Sequence, residues 1–508
     1  MDQGRAARAA HRCRDTVKEV AMEGFRVIVN CIVVGASALI PAQFNHISYF
    51  GNNNLGGGIP MAPLVHGGPA PTDISSAFMP DRQSPSAVMP TTHIERARAT
   101  PAWRWQSTIE PDANNFQWKF GAAVSIHERS IAIGPARDWD LCVDQTGVRT
   151  YTLAGRQWLC DGAISHPSGD VHAQFGVCVA LKNKMLLIGS PRDSDGAFET
   201  GAAFLYIRVG QRWDLQATLK RSVCNAADQF GAAIACDEHT LVIGAPKADE
   251  GVIDSGAVEV FERDQNGWRN VATLVSNPPR AGALFGLSVA LDSGRIIVGA
   301  PGDKSDGNFS GRAFIYTRGA TGWVLDTELS CPSGTRGWFG SAVAGDQSRV
   351  LIGAPRLVRP NQTDLDARGM AFEYRRSSDG WHVAATIMPA NVREADSFGC
   401  SLALHQHHAV FGASIDSLAG RMSGAAFAGV RNSLDQWSVE RLVAPDAAPD
   451  QLAGHMVGIF GSRIIVGRMG NPEEDPALGA VSVFVIAPPR IAQEDGSDTS
   501  STRVLVKP

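Results

Sequence analysis

Carboxylates are the residues of this chain most able to do chemistry, and they gather in short glycine-bearing stretches. Asp193, Asp195 and Glu199 stand in PRDSDGAFETG, Asp249, Glu250 and Asp254 in PKADEGVIDSG, Asp303 and Asp306 in PGDKSDGNFSG, and Asp364 and Asp366 in the longest such stretch. Acids spaced around tight turns offer oxygens to a hard cation or to a basic partner. The same Asp, Ser and Gly composition also makes plain solvated turns, so both readings stand. A second cluster is His405, His407 and His408 in HQHH, where the first two imidazoles share a strand face. Two imidazoles make only part of a metal site, and a satisfied or exposed hairpin is the plainer reading. The chain has no GxSxG elbow, HExxH helix, phosphate-binding GKS/T loop or strand-to-helix GxGxxG, so no catalytic residue is assigned.

The elements that hold these residues follow from a repeat. Phe-Gly pairs occur at Phe120, Phe175, Phe230, Phe285, Phe339 and Phe398, with Ala453-Gly454 in the seventh place. Fourteen residues after each of these positions stands a second glycine: Gly134, Gly189, Gly244, Gly299, Gly353, Gly412 and Gly467. Within one unit, FGLSVAL alternates with a period of two: Phe285, Leu287, Val289 and Leu291 share one face, and Gly286, Ser288 and Ala290 the other. RIIVGAP is apolar on both faces, as a middle strand is. GRAFIYTR at 311–318 is a third strand and GWVLDTEL a fourth, with Trp323, Leu325, Thr327 and Leu329 on its inner face. Seven such four-stranded units predict an all-β, seven-bladed β-propeller. The seventh unit ends after GAVSVFVI, and WRWQSTI at 103–109 matches WDLQATL at 213–219 in Trp, Gln and Thr. The N-terminal strand is therefore expected to complete the last blade, pairing residue 105 with residue 484 and removing an open sheet edge. Tryptophans at 158, 213, 268, 323, 381 and 437 recur once per unit and read as packing residues.

FGAAIACDEHTLVIGAP, FGLSVALDSGRIIVGAP and FGSAVAGDQSRVLIGAP resemble FG-GAP repeats, the unit of the integrin α-subunit N-terminal propeller and of many exported bacterial proteins. The resemblance covers about residues 101–487 and is nearest the bacterial short-hairpin form. It implies a propeller that binds ligands, but it specifies fold more than function. In integrin-like repeats the first hairpin commonly carries a DxDxDG calcium loop. Here the hairpins read HERS, KNK, DEH, DSGR, DQSR and HQHH, with too few oxygens. No metal is assigned at those positions, calcium is left open, and no other cofactor is expected.

Flanking segments differ in character. Residues 1–42 contain a basic run from Met22 followed by the apolar VIVNCIVVGASALI and small residues, the pattern of a signal peptide, with Met22 an alternative start. Residues 43–100 are Gly, Pro, Asn and Ser clusters and read as a flexible linker, while 488–508 read as a polar, disordered tail. Nine cysteines become seven if Cys13 and Cys31 leave with the leader. Cys142 and Cys160, around a short meander, are the candidate disulfide. Cys178, Cys236 and Cys400 replace Ser or Ala of sister repeats and read as buried thiols, and Cys224 and Cys331 are too many blades apart to pair.

With 44% hydrophobic residues, 53 Gly, 19% charged residues and a net charge of −5, the chain is a glycine-punctuated globular body without a basic stripe, which argues against a nucleic-acid partner. The expectation is an exported, monomeric, non-catalytic propeller without a membrane span once the leader is gone, binding a protein or glycan through the acid-rich loops of one rim. The alternatives are a propeller hydrolase or lyase acting on an extracellular polymer, and a structural component of the cell surface.

Overall fold

The computed structural model describes residues 103–111, 120–135, 147–194, 198–292, 294–304, 310–332, 337–347, 349–357, 367–393, 395–432, 434–470 and 479–486. The expected leader, linker and tail lie outside these residues. The described secondary structure is all strand, in seven four-stranded antiparallel sheets. Six take their strands in chain order, giving blades 1 to 6 over residues 120–164, 178–219, 233–274, 288–330, 342–387 and 398–442. Blade 7 consists of Val457–Phe460, Arg463–Arg468 and Ala480–Ile486, completed on its outer edge by Trp103–Ile109. Trp105 is paired with Phe484, in the register expected from the sequence. No described helix is long and apolar enough to cross a membrane.

The fixed fourteen-residue spacing is explained at the seams between blades. Within blade 4, the Gly286 amide donates to the Gly299 carbonyl at 3.0 Å, and four other blades repeat this bond. Gly286 turns its own carbonyl outward, directly onto the Cα of Gly244 in blade 3, where any Cβ would overlap it. The same contact joins Gly134 to Gly176, Gly189 to Gly231, Gly299 to Gly340, Gly353 to Gly399, Gly412 to Gly454 and, closing the ring, Gly467 to Gly121. Each distal glycine thus admits the backbone of the next blade, a close approach only a residue without Cβ allows. Ser288 and Ser401 reinforce the seam by donating to the Gly340 and Gly454 carbonyls at 2.7 and 2.8 Å. The Cys178 thiol takes the same place against Gly231, and burial pushes its pKa up to about 12.

The Phe-Gly phenylalanines fill the space between blades. Phe120, Phe230, Phe285, Phe339 and Phe398 are completely buried, each worth roughly 1.5–3 kcal/mol of transfer energy. Phe285, Val289 and Leu291 join the apolar cluster between blades 3 and 4, whereas Ala290 joins that between blades 4 and 5, so the period of two is realised. The inner strand begins three residues later than the sequence suggests, at Ser288. Gly286, at φ +89°, breaks the strand, and Phe285 instead bridges Gly256 of blade 3.

A larger departure lies in the fourth strands. Thr327 pairs with Ile315 and Leu325 with Tyr316, leaving Asp326 as a bulge. Equivalent register shifts occur in the outer strands of every blade except blade 6. A bulge reverses the facing of the residues beyond it, so Leu325 does not share the face of Thr327 and Leu329 as expected and is 46% exposed. Asp326 is freed to accept the indole N–H of Trp381 in blade 5 at 2.8 Å. Trp213, Trp323 and Trp437 likewise donate to Thr150, Glu262 and Glu373 of the preceding blade, at 3.1, 3.1 and 2.8 Å. These recurrent tryptophans are straps between blades.

Candidate binding face

The loops between second and third strands and the connectors leading to the next blade meet on one face. Backbone bonds tie them: Ala227 N–H to Phe198 O, Gly282 N–H to Ile253 O, Ala395 N–H to Ala367 O and Asp450 N–H to Arg421 O, at 2.9, 2.9, 2.7 and 2.7 Å. This rim holds the predicted acids, of which Asp195, Asp306, Asp364 and Asp366 lie outside the described residues.

The described members are not gathered around one point. Asp193 is buried against the His166 Nε2 at 2.8 Å, and Glu199 pairs with Arg192 at 2.9 Å. Asp303 is held by Arg280 at 2.8 Å and Arg312 at 3.5 Å. Glu250 pairs with Arg221, whose guanidinium also takes the buried Asp228 at 2.7 Å and Glu259 at 3.1 Å. Asp249 is exposed and accepts the Asp254 N–H at 2.8 Å. Burial, aided by Asp249, raises the Asp254 carboxyl above the usual carboxylate range. The acids of this face therefore act mainly as struts, each tied to a cation or backbone donor. Among the described residues no three His, Cys, Asp or Glu side chains converge as a metal site requires. Cys142, of the candidate disulfide, lies outside the described residues; Cys160 is exposed on the outer strand of blade 1.

Sequence reading missed the order in these struts. Among the described residues, two positions face each other in blades 2 to 6: the second residue before the Phe-Gly phenylalanine and the fourth after the distal glycine. Blade 2 has Ala173 opposite Asp193, blade 3 Asp228 opposite Ala248, and blade 4 Ala283 opposite Asp303. In each of blades 2 to 4 one of the two is a carboxylate, on either side. Blade 5 has none, with Gly337 opposite Leu357, and blade 6 has two, Asp396 and Asp416. Counting from the Phe-Gly pairs exposes this pattern, but the partner cations come from other strands and connectors and carry no repeat signal.

On blades 2 and 3 the rim also offers large apolar side chains to solvent. Phe198, Val223 and Ile253 are 68%, 63% and 64% exposed at the tips of blades 2 and 3. Lys247, its pKa lowered by burial, sits between these loops within electrostatic reach of Asp254, Glu199 and Arg192.

The opposite ends of the inner strands form a second ring, found seven residues after each repeat start: His127, Lys182, Asp237, Asp292, Asp346, His405 and Phe460. Phe460 is flanked by the His127 and His405 rings at 4.4 and 4.8 Å. Asp292 and Asp346 pair with Arg295 and Arg349 of their own hairpins at 2.8 and 3.0 Å. His405 and His408 thus act in hairpin packing, and His408 meets the edge of Trp103 at 5.5 Å.

Seven sheets around an axis, closed by a strand from the other end of the domain, define a β-propeller. The FG-GAP repeat family model matches residues 213–261 and 268–316, two consecutive units running from fourth strand to third, and the seven-bladed ring is consistent with an FG-GAP propeller. Among solved structures it is similar to the WD40 domain of Neurospora crassa Pan2, with 9% identity and a TM-score of 0.46 over 76% of this chain and 96% of that one. No curated protein matches the chain.

Proposed function

We propose that the protein is an exported, non-catalytic, integrin-like binding propeller that holds a protein ligand on the loop face of blades 2 and 3. The observation that carries this reading is the exposure of Phe198, Val223 and Ile253 on loops tied down at their backbones. Large apolar side chains held rigidly in water favour burial against a partner. Lys247 and Asp249 beside them supply the polar surround such interfaces carry. A protein suits this face better than a glycan, because sugars stack on exposed aromatic platforms, whereas four of the recurrent tryptophans are bound at the seams. The non-catalytic part rests on the described loop carboxylates being tied one by one, mainly to cations or backbone donors, rather than presented together. Export rests on the tripartite N-terminal pattern.

The test is site-specific photo-crosslinking on the producing cell, with the photoreactive residue at position 198 or 253. A discrete protein adduct is expected, lost when the other position is changed to Ser. An adduct-free face, or one indifferent to Phe198→Ser and Ile253→Ser, would sink the proposal. N-terminal sequencing of the protein from the extracellular and periplasmic fractions tests export, with cleavage expected between residues 36 and 42.

A further inference from the structure

Blade 7 is held at its hairpin end by imidazoles from both neighbouring blades. Phe460, the last residue of its inner strand, lies between the ring of His127 from blade 1 at 4.4 Å and that of His405 from blade 6 at 4.8 Å. On the outer side of the same blade, His408 meets the edge of Trp103 in the closing strand at 5.5 Å. The hairpins that meet at the inner side, 126–130, 181–185, 404–408 and 459–463, lie wholly within the described residues.

These contacts call for neutral rings. The Asn183 N–H of blade 2 donates to the His127 Nδ1 at 3.2 Å. A proton on Nδ1 turns that acceptor into a donor and leaves two N–H groups opposed. A cation on an aromatic ring gains roughly 0.5–1 kcal/mol, less than the 1–3 kcal/mol or so that a buried donor without an acceptor costs.

The surrounding charges do little to favour protonation. His127 faces Lys182 and His405 on the positive side and Glu128 and Glu238 on the negative. His405 faces the same Lys182, with Asp346 of blade 5 opposing it. Arg349 reaches the Gln406 carbonyl beside it, and Arg463 stands opposite Phe460 in the blade 7 hairpin. His408 faces His407 and His405, while Arg431 of the next strand is engaged by Glu373 and Asp435. The carboxylates offset part of this positive field, and burial decides the balance, holding all three imidazoles below their ordinary range.

We propose that His127, His405 and His408 form an acid-release latch on blade 7, through which acidification frees the closing strand ahead of the other seams. Displacing the strands of blade 7 brings the three rings into water, where an imidazole takes up a proton at about pH 6.5. Protons bound on opening pull the equilibrium towards the open ring as pH falls below that value, and the latch is fully closed well above it. One pH unit below, each ring released favours opening by up to about tenfold. His166 also packs on aromatic rings, Phe175 and Phe204, but its Nε2 is compensated by Asp193 at 2.8 Å, so no such release is built into blade 2.

Hydrogen–deuterium exchange of the full-length protein at pH 7.5 and 5.5, with labelling times corrected for intrinsic exchange, tests this. Protection in 103–109, 457–468 and 480–486 should fall at least about tenfold at the lower pH, while blades 3 to 5, residues 233–387, change by less than about threefold. The triple variant His127→Asn, His405→Phe, His408→Phe keeps an acceptor for Asn183 and aromatic packing without titrating, and should hold blade 7 equally closed at both pH values. His405→Phe alone, a milder change, should recover at least about threefold of the lost protection. Acid loss of protection spread evenly over the blades, no loss in blade 7, or a loss unchanged by these substitutions would overturn the proposal.

Discussion

The Cα of Gly467 lies against the carbonyl oxygen of Gly121, although 346 residues separate them in the chain. It is the seventh copy of a contact found at every seam, so the junction between last and first blades is built like the other six. Gly467→Ala should destabilise the domain by about 1–3 kcal/mol through overpacking, and Gly353→Ala, within one continuous run of blades, should cost about the same. Urea unfolding of both variants checks this. A much smaller cost at position 467 would mean that the closing seam is looser than the rest.

The first strand also leans on blade 6. Trp103 is 4% exposed, its backbone N–H donates to Glu440 at 3.0 Å, and its ring meets His408. Trp103→Ala should cost about 3–5 kcal/mol, the usual penalty for emptying a large aromatic site, with protease sensitivity appearing first in residues 103–111. A loss below about 1 kcal/mol would show that the closing strand is dispensable.

Tryptophan straps differ in what they leave behind when removed. Trp437→Phe strips a donor from Glu373, which is fully buried yet keeps Arg431 and Arg375 at 3.1 Å each. Trp381→Phe strips one from Asp326, which retains some contact with water. The first change should cost about 1–3 kcal/mol and the second less. Chemical unfolding that reversed this order would contradict the assignment of Glu373 as the more dependent partner.

Two sets of buried groups pull stability in opposite directions as pH changes through the acidic range. Burial holds His127, His405 and His408 below the ordinary imidazole range, with Lys182 adding to the effect at His127 and His405 and neighbouring histidines at His408. The fold prefers them neutral, so their contribution is complete above about 6.5 and is lost as pH falls below it. Burial beside Asp416 pushes Asp396 up to about 7. Its contribution is complete below the unfolded value of about 3.9 and is lost as pH rises through 7. Asp396 therefore lowers the melting temperature as pH rises from about 4 towards 7 and adds no further slope above it, so Asp396→Asn should steepen the rise of melting temperature with pH across that interval. Superimposable pH profiles for the wild type and Asp396→Asn would refute this account of the dyad.

The sequence disclosed what the repeat enforces and concealed what varies around it. Phe-Gly and the distal glycine give blade number, and the match of Trp103 to Trp213 gives closure, because each reports a contact that recurs in register. The bulge at Asp326 escaped notice because alternation looks unbroken until pairing partners are known. Asp193 and Asp303 looked like ligands in their local stretches. Their partners, His166, Arg280 and Arg312, come from outside their loops, and only the folded ring brings them together. Exposure of Phe198 and Ile253 was hidden for the same reason, since an apolar residue in a loop carries no sign of which way its neighbours leave it facing.

Blade 7 also determines how the domain would respond to tension. Trp103, where the chain enters the ring, is paired with Ile486, where it leaves, and the two strands run antiparallel. A pull applied through the two flanking segments would therefore load the hydrogen bonds between 103–109 and 480–486 one pair at a time, from Trp103–Ile486 inward, rather than all together. The clasp that closes the ring is a zipper whose slider sits at the point of attachment, so force would open blade 7 and leave the packed seams of blades 1 to 6 to yield afterwards.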